Sequence, residues 1–531
     1  MPSIPLDTPL PTADVVVVGS GPAGVAVADR LLRGSERTVL LLEAGPDFGP
    51  LSGGGWPHHL LDPTLMPTAD CSWGYVAAAR HGRPDLPLER ARVVGGCSSH
   101  NGCAAVWGHR VDYDRWEALG NPGWNAETLL PLFQEASARW RVTIPARDDL
   151  TPWHRAVLDA APALGLPPIP DLNDLDAEFG IAIGPINIVD RTRWSIAFAL
   201  LDPLRDCRRL SFAADVLVDR LILDGTRCVG LELVRNGRRQ RVAAGEVVLA
   251  GGTFGSPLVL LRSGVGPAAD LAALGIAPAV DLPGVGRGLQ DHPAFPVQYA
   301  GPPALAEAMA GFVAAGGLPR EEGTIALARS SRCEGPFDLH LYPIASRPIS
   351  GAGVNAEAAA AAAADASGGW RPNISSAVMA PRSVGSIRLS GSDPEAPPVI
   401  DHGFFTDPNG HDLAVLLEGV ALSRELGASA PLAALAGAET WPGAALGGDA
   451  LAAFVLANAG HDYHPTSTCR MGPAADPAAV VDARGRVRGL DGVRVADAAI
   501  MPFVPRANTN LPALVVGLRV ADLMLAEGKG A

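Results

Sequence analysis

The chain has 531 residues, 48% hydrophobic and 18% charged, with 61 glycines and 48 prolines. This composition excludes a disordered or low-complexity polymer, and the length suits about two to four domain-sized units. With 42 basic and 56 acidic residues and a net charge of -14, broad binding to nucleic acid or to anionic membranes is not expected.

The stretch Met1–Asp14 has no basic segment followed by an apolar one, and no run of about 18 apolar residues follows anywhere. Neither a signal peptide nor a membrane span is expected. The seven cysteines are scattered and form no CxxC, so reduced thiols in a cytoplasmic protein without a metal centre are expected. Asp14–Val18 reads as a buried strand stopped by Gly19, because it is short and β-branched. Ser20–Arg33 reads as a helix with Pro22 near its start and Val25, Ala28, Leu31 and Leu32 on one face. Thr38–Leu42 is a second buried strand, ending at Glu43-Ala44-Gly45. This is a βαβ opening on a parallel sheet. Its turn, Gly19-Ser20-Gly21-Pro22-Ala23-Gly24, fits GxGxxG. Gly19 allows the tight turn, Gly21 lets backbone approach a pyrophosphate, and Gly24 permits close helix–strand packing. Glu43 stands nineteen residues past Gly24, where a carboxylate accepts ribose hydroxyls. The motif predicts dinucleotide binding but does not separate FAD from NAD.

The next dense segment is Arg92–Ala104, with Val94, Gly96, His100, Asn101, Gly102, Cys103 and Ala104 among its residues. Its small side chains let a flat ring lie against backbone. Further on, Glu246–Leu249 reads as an apolar strand stopped by Gly251-Gly252. The alanine run Ala358–Ala364 has no apolar stripe and reads as an insertion or short surface helix. Asp412–Leu426 reads as a helix. His461-Asp462-Tyr463-His464 precedes the last strand, Val493–Val495, which runs into Ala496-Asp497-Ala498. Asn508-Thr509-Asn510 opens a terminal helix. Strands with nucleotide-site endings thus occur early, midway and late, so one domain is assembled from three separated segments.

From Gly95–Ala104 onward the chain resembles the glucose–methanol–choline oxidoreductase family, above all its choline-oxidising members. The resemblance implies oxidation of an alcohol, which needs a base for the hydroxyl proton and an acceptor for the carbinol hydride. Histidine titrates near neutrality and suits the first task, and a neighbouring amide can donate to a developing alkoxide. Gly284–Pro293 and the Tyr463-His464…Thr468…Met471 pattern extend the resemblance to nearly the whole length, most weakly from Pro302 to Ile374.

The resemblance implies an α/β fold: a Rossmann-like FAD-binding domain (1–160, 205–295 and 465–531) plus a substrate domain with a mostly antiparallel sheet and helices (161–204 and 296–464). It implies FAD held by Gly19, Ser20, Gly21, Pro22, Ala23, Gly24, Glu43, Ala44, Val94, Gly96, His100, Asn101, Gly102, Cys103, Ala104, Val218, Tyr463, Asp497, Ala498 and Thr509. His100 matches a histidine that bonds covalently to the flavin 8α-methyl. His464 matches the base and Asn508 its partner, with His461 as rival. The helix from about Asn510 would aim its positive end at the reduced flavin's N1–C2=O edge. His340 matches an active-site histidine.

The reaction implied is hydride transfer from a small primary alcohol or aldehyde hydrate to flavin N5, with oxygen or another acceptor. A lyase with redox-silent FAD and a choline oxidase proper stay open, and a homodimer is possible. Three departures bear on the substrate. Ala294 stands where the choline-oxidising members carry a carboxylate, Gly102 replaces a serine, and Asp462 replaces an apolar residue. Ala294 argues for a neutral alcohol over choline.

Overall fold

The computed structural model describes residues 3–65, 70–78, 85–346 and 369–528. The alanine run Ala358–Ala364 lies outside them. The strand Ala13–Val18, with Val15–Val18 buried, is flanked in parallel by Val39–Leu42 and by Arg238–Leu249. Leu210–Ala213 adds beyond Val39–Leu42, and Val493–Val495 beyond Arg238–Leu249, both parallel. β-Branched and leucine side chains buried on both faces suit a sheet covered by helices. The first half of Arg238–Leu249 pairs antiparallel with Arg227–Arg235, which pairs with Val216–Asp224.

The helix Pro22–Gly34 packs along the carboxy-terminal helix Asn510–Gly528. A Cβ on Gly517 would meet the Ala23 carbonyl oxygen at 2.4 Å, and one on Gly34 would meet Leu525 at 2.5 Å. The contacts advance together along both helices, so the two run in the same direction. Their amino-terminal ends therefore open toward one place. Gly517→Val has no room beside that backbone. Its expected cost is about 1–3 kcal/mol, read as a lower unfolding midpoint.

A second, antiparallel sheet runs Glu439–Trp441, Pro293–Tyr299, Arg371–Val378, Leu339–Ser346, Thr324–Ala328, Gly180–Ile183, and Gly460–His461 also pairs with Pro293–Tyr299. The helix His411–Ala428 covers one face through Val415, Leu416 and Val420, with Gly419 set against Ser376. A third sheet, not anticipated from the sequence, joins Arg287–Leu289, Gly385–Arg388, Val399–Asp401, Tyr75–Ala77 and Leu86–Leu88. Among the described residues no helix is long and apolar enough to cross a membrane. The seven cysteines are unpaired.

Candidate active site

A cavity of about 510 Å³ lies where the first sheet's strand ends, both helix amino termini and the second sheet meet. At its floor Gly19 adopts φ +105°, and a Cβ there would sit 2.3 Å from the Ala250 oxygen. A Cβ on Gly24 would sit 1.9 Å from the Gly19 oxygen, so helix and turn are in contact through backbone alone. Gly96, at φ +54°, faces Gly21 closely enough that its Cβ would lie 2.8 Å from the Gly21 Cα. The two glycine loops thus form one smooth wall. Glu43 is buried and accepts hydrogen bonds from Ser20 N (2.9 Å), Ser20 Oγ (2.7 Å) and Gly45 N (2.9 Å). Burial raises its pKa against those bonds.

Most of the predicted cofactor residues line this cavity: Gly19, Gly21, Pro22, Ala23, Glu43, Ala44, Gly96, His100, Asn101, Gly102, Ala104, Val218, Tyr463, Asp497, Ala498 and Thr509. Four stand behind the wall. Ser20 holds Glu43, Gly24 packs on Gly19, Val94 accepts from Ser99 Oγ (2.7 Å), and the Cys103 carbonyl accepts from Asn187 N (3.1 Å). Asp497 ties the late strand to the middle one, accepting from Gly252 N at 2.9 Å and Ala499 N at 2.8 Å. Burial pushes its carboxyl up to about 6.

At the other end of the cavity His464 and Asn508 meet, Nε2 to Nδ2 at 3.2 Å. Tyr342 donates to Asn508 Oδ1 at 3.4 Å, which turns the Asn508 amino group toward His464. His464 Nε2 is then the acceptor, an unprotonated nitrogen facing the cavity. Its Nδ1 lies 3.0 Å from His292 Nδ1 and 3.3 Å from Asp462 Oδ2, and its backbone N donates to Asp291 Oδ1 at 2.8 Å. Burial, followed by the neighbouring His292, holds the imidazole well below its ordinary pKa. His292, Asp462 and His464 are also the one trio among the described residues spaced to hold a metal.

His461 has both nitrogens engaged: Nε2 is 3.2 Å from the Pro87 oxygen and Nδ1 accepts from Tyr463 N at 3.1 Å. Its one lone pair is held by a backbone amide, whereas that of His464 is met by the Asn508 side chain, which can turn to a substrate hydroxyl. His340 does not reach the cavity. Its Nδ1 meets the Tyr342 hydroxyl at 2.8 Å, so Tyr342 stands between it and Asn508.

Several groups were missed from the sequence. Arg90 donates to the Tyr463 oxygen at 2.9 Å and so secures the left-handed turn at Tyr463, φ +64°. Glu321 and Glu322 line the cavity. A Cβ on Gly102 would lie 2.9 Å from Glu322 Oε1, so the glycine leaves the room that this carboxyl enters. Burial pushes Glu321 up to about 7, and burial with Glu321 beside it pushes Glu322 up to about 8. Their one sequence signal is a pair of adjacent acids, which reads equally as a solvated loop.

Family models described as GMC oxidoreductase match residues 14–294 and 381–517. The chain belongs to the GMC oxidoreductase family. Choline oxidase of Arthrobacter globiformis is 34% identical to it, over 97% of this chain and 95% of the relative. Human mitochondrial choline dehydrogenase is also 34% identical, over 96% and 89%. The structure of pyridoxine 4-oxidase from Mesorbium loti superposes with a TM-score of 0.82 at 27% identity, covering 96% of this chain and 98% of that one. A fungal aryl-alcohol oxidase structure shares the fold with a TM-score of 0.78 at 23% identity, covering 97% and 99%. This GMC oxidoreductase is an FAD-dependent enzyme acting on CH–OH donors. The glycine loops packed through backbone alone, the paired helix ends and the buried unpartnered Asn101 Oδ1 fit that cofactor.

Proposed function

We propose that the enzyme oxidises a primary alcohol, or an aldehyde hydrate, with His464 as base and Asn508 as the group that orients the hydroxyl. The observation that carries this reading is the 3.2 Å contact between His464 Nε2 and Asn508 Nδ2 inside the cavity. Bound FAD supplies the hydride acceptor. The glycine turn Gly19–Gly24, with the amino terminus of Pro22–Gly34, would hold its pyrophosphate, and the Asn510–Gly528 helix end would face its ring. His464 takes the hydroxyl proton at Nε2 while Asn508 donates to the developing alkoxide. A panel of primary alcohols, assayed with oxygen and with an artificial dye, tests the reading. Turnover with at least one acceptor is expected, and silence with both across the panel would contradict it.

A second reading, for a cationic alcohol such as choline, is favoured by Glu322. The case for a neutral substrate rests on Ala294, which does line the cavity without a carboxylate. Glu321 and Glu322 line the same cavity and can take that role, so Ala294 alone no longer argues against a cation. Both carboxyls have raised pKa values, about 7 and about 8. They are neutral below that window and charged above it, so cation recognition strengthens as pH rises through it. The expected result is that kcat/KM for choline, divided by that for its neutral carbon isostere, rises roughly tenfold across the window. Glu322→Gln should flatten the rise. A flat ratio in the unaltered enzyme returns the case to a neutral alcohol.

A further inference from the structure

Among the carboxyl groups that line the cavity, one that no step above uses stands against the proposed base. Asp462 Oδ2 is buried, has no hydrogen-bond donor, and stands 3.3 Å from Nδ1 of His464. The two residues are separated only by Tyr463, whose left-handed backbone folds the chain so that both side chains converge. A non-glycine residue in that conformation costs on the order of 1 kcal/mol and persists where the surroundings enforce it. Here Arg90 holds the Tyr463 carbonyl and Asp291 holds the His464 amide.

We propose that Asp462 is a positioning residue that sets the strength of the base: its carboxylate receives the Nδ1 side of the His464 imidazolium as Nε2 takes the hydroxyl proton. The inference rests on the reading of His464 as base. In the step, the alcohol O–H bond breaks, its electron pair stays on oxygen, and the proton forms an N–H bond at Nε2. Nothing else is consumed. The positive charge so created lies between the substrate and Asp462.

The surroundings show why a counter-charge is needed. His292 from the segment before Pro293–Tyr299, Arg90 near Leu86–Leu88, and His340 on Leu339–Ser346 all disfavour a charged His464. Asp291 opposes them, but its Oδ1 is already committed to the backbone amides of His292 and His464. Asp462 is faced by Asp291 and Glu322 and hydrogen-bonded by the Tyr342 hydroxyl; burial with the two acids holds its carboxyl well above the usual range, and the Tyr342 bond opposes them. The pair therefore titrates as a unit, and the carboxyl proton must leave, with Nδ1 keeping its own, before the strong-base form exists. The rate of flavin reduction should climb with pH as that proton is lost.

Anaerobic flavin reduction by one alcohol, followed from acid to alkaline pH in the FAD-loaded enzyme, tests this. Asp462→Asn keeps the shape and should displace or abolish the ascending limb. It should lower the alkaline plateau roughly tenfold or more, with the concentration dependence little changed. Asp462→Val is the second variant, should the first fail to load FAD, and should show the same displacement. A limb unmoved in position would overturn the proposal, whether the plateau is retained or falls. His464→Ala separates this outcome from an error about the base. If that variant reduces its flavin normally, the base itself is misassigned. If it is inactive while Asp462→Asn keeps its limb, only the role of Asp462 fails.

Discussion

Replacing His464 with alanine is expected to leave the enzyme yellow and to remove most of its capacity to reduce flavin with an alcohol. The loss should be about 10²–10⁴-fold, the usual contribution of a general base. Retention of FAD is expected because the turn Gly19–Gly24 and Glu43 are held by their own backbone and Ser20 contacts, none of which involves His464. The size of the loss follows from the site's protonation. Burial and His292 keep His464 neutral, and Asn508, fixed by Tyr342, keeps Nε2 unprotonated. Neither His461 nor His340 can substitute. Both nitrogens of His461 are occupied, and His340 is screened by Tyr342. His461→Ala should therefore be far milder, acting through the turn at Tyr463. Near-normal anaerobic reduction in His464→Ala, or the reverse ranking of the two variants, would remove His464 from its role.

The second large effect concerns His100. Its side chain is 6% exposed and lines the cavity beside Asn101 and Gly102. Burial, then Arg90 and Arg193, hold its pKa down to about 3. The ring is thus neutral at any working pH, with a lone pair available for a bond to the flavin 8α-methyl. When the loaded enzyme is precipitated with acid, the yellow colour should stay with the pellet. His100→Ala should send it wholly into the supernatant. Free flavin in the supernatant from the unaltered enzyme would reject the bond.

The cofactor half of this site was largely legible because its requirements are local. A strand, a glycine turn, a helix and an acid occur within one stretch, and each is dictated by backbone geometry that few residues allow. His464 and Asn508 were legible as a pattern of residue types, although only the structure shows that Tyr342 sets the amide's orientation. The opposite part of the candidate site was not legible, since its groups come from separate strands and loops. Glu322 reaches the cavity only because Gly102, far away in sequence, has no side chain. His340 and Tyr342 share one face of a strand under period-two alternation, and the sequence does not say which of them reaches the pocket. The direction of Asp462 hinged on a single φ angle, that of Tyr463. The third sheet escaped notice because its strands are three or four residues long and come from three distant regions, too short to show an alternation.

The central claim is that an alcohol gives its carbinol hydride to the bound flavin after His464 takes the hydroxyl proton. Mixing the oxidised holoenzyme anaerobically with a turned-over primary alcohol, and with the same alcohol deuterated at the carbinol carbon, tests it most directly. The account predicts that the flavin's visible band bleaches in a single turnover and does so several-fold more slowly with the deuterated substrate. A flavin that stays oxidised while the substrate is converted would contradict it, and would instead mark a lyase that keeps its FAD redox-silent.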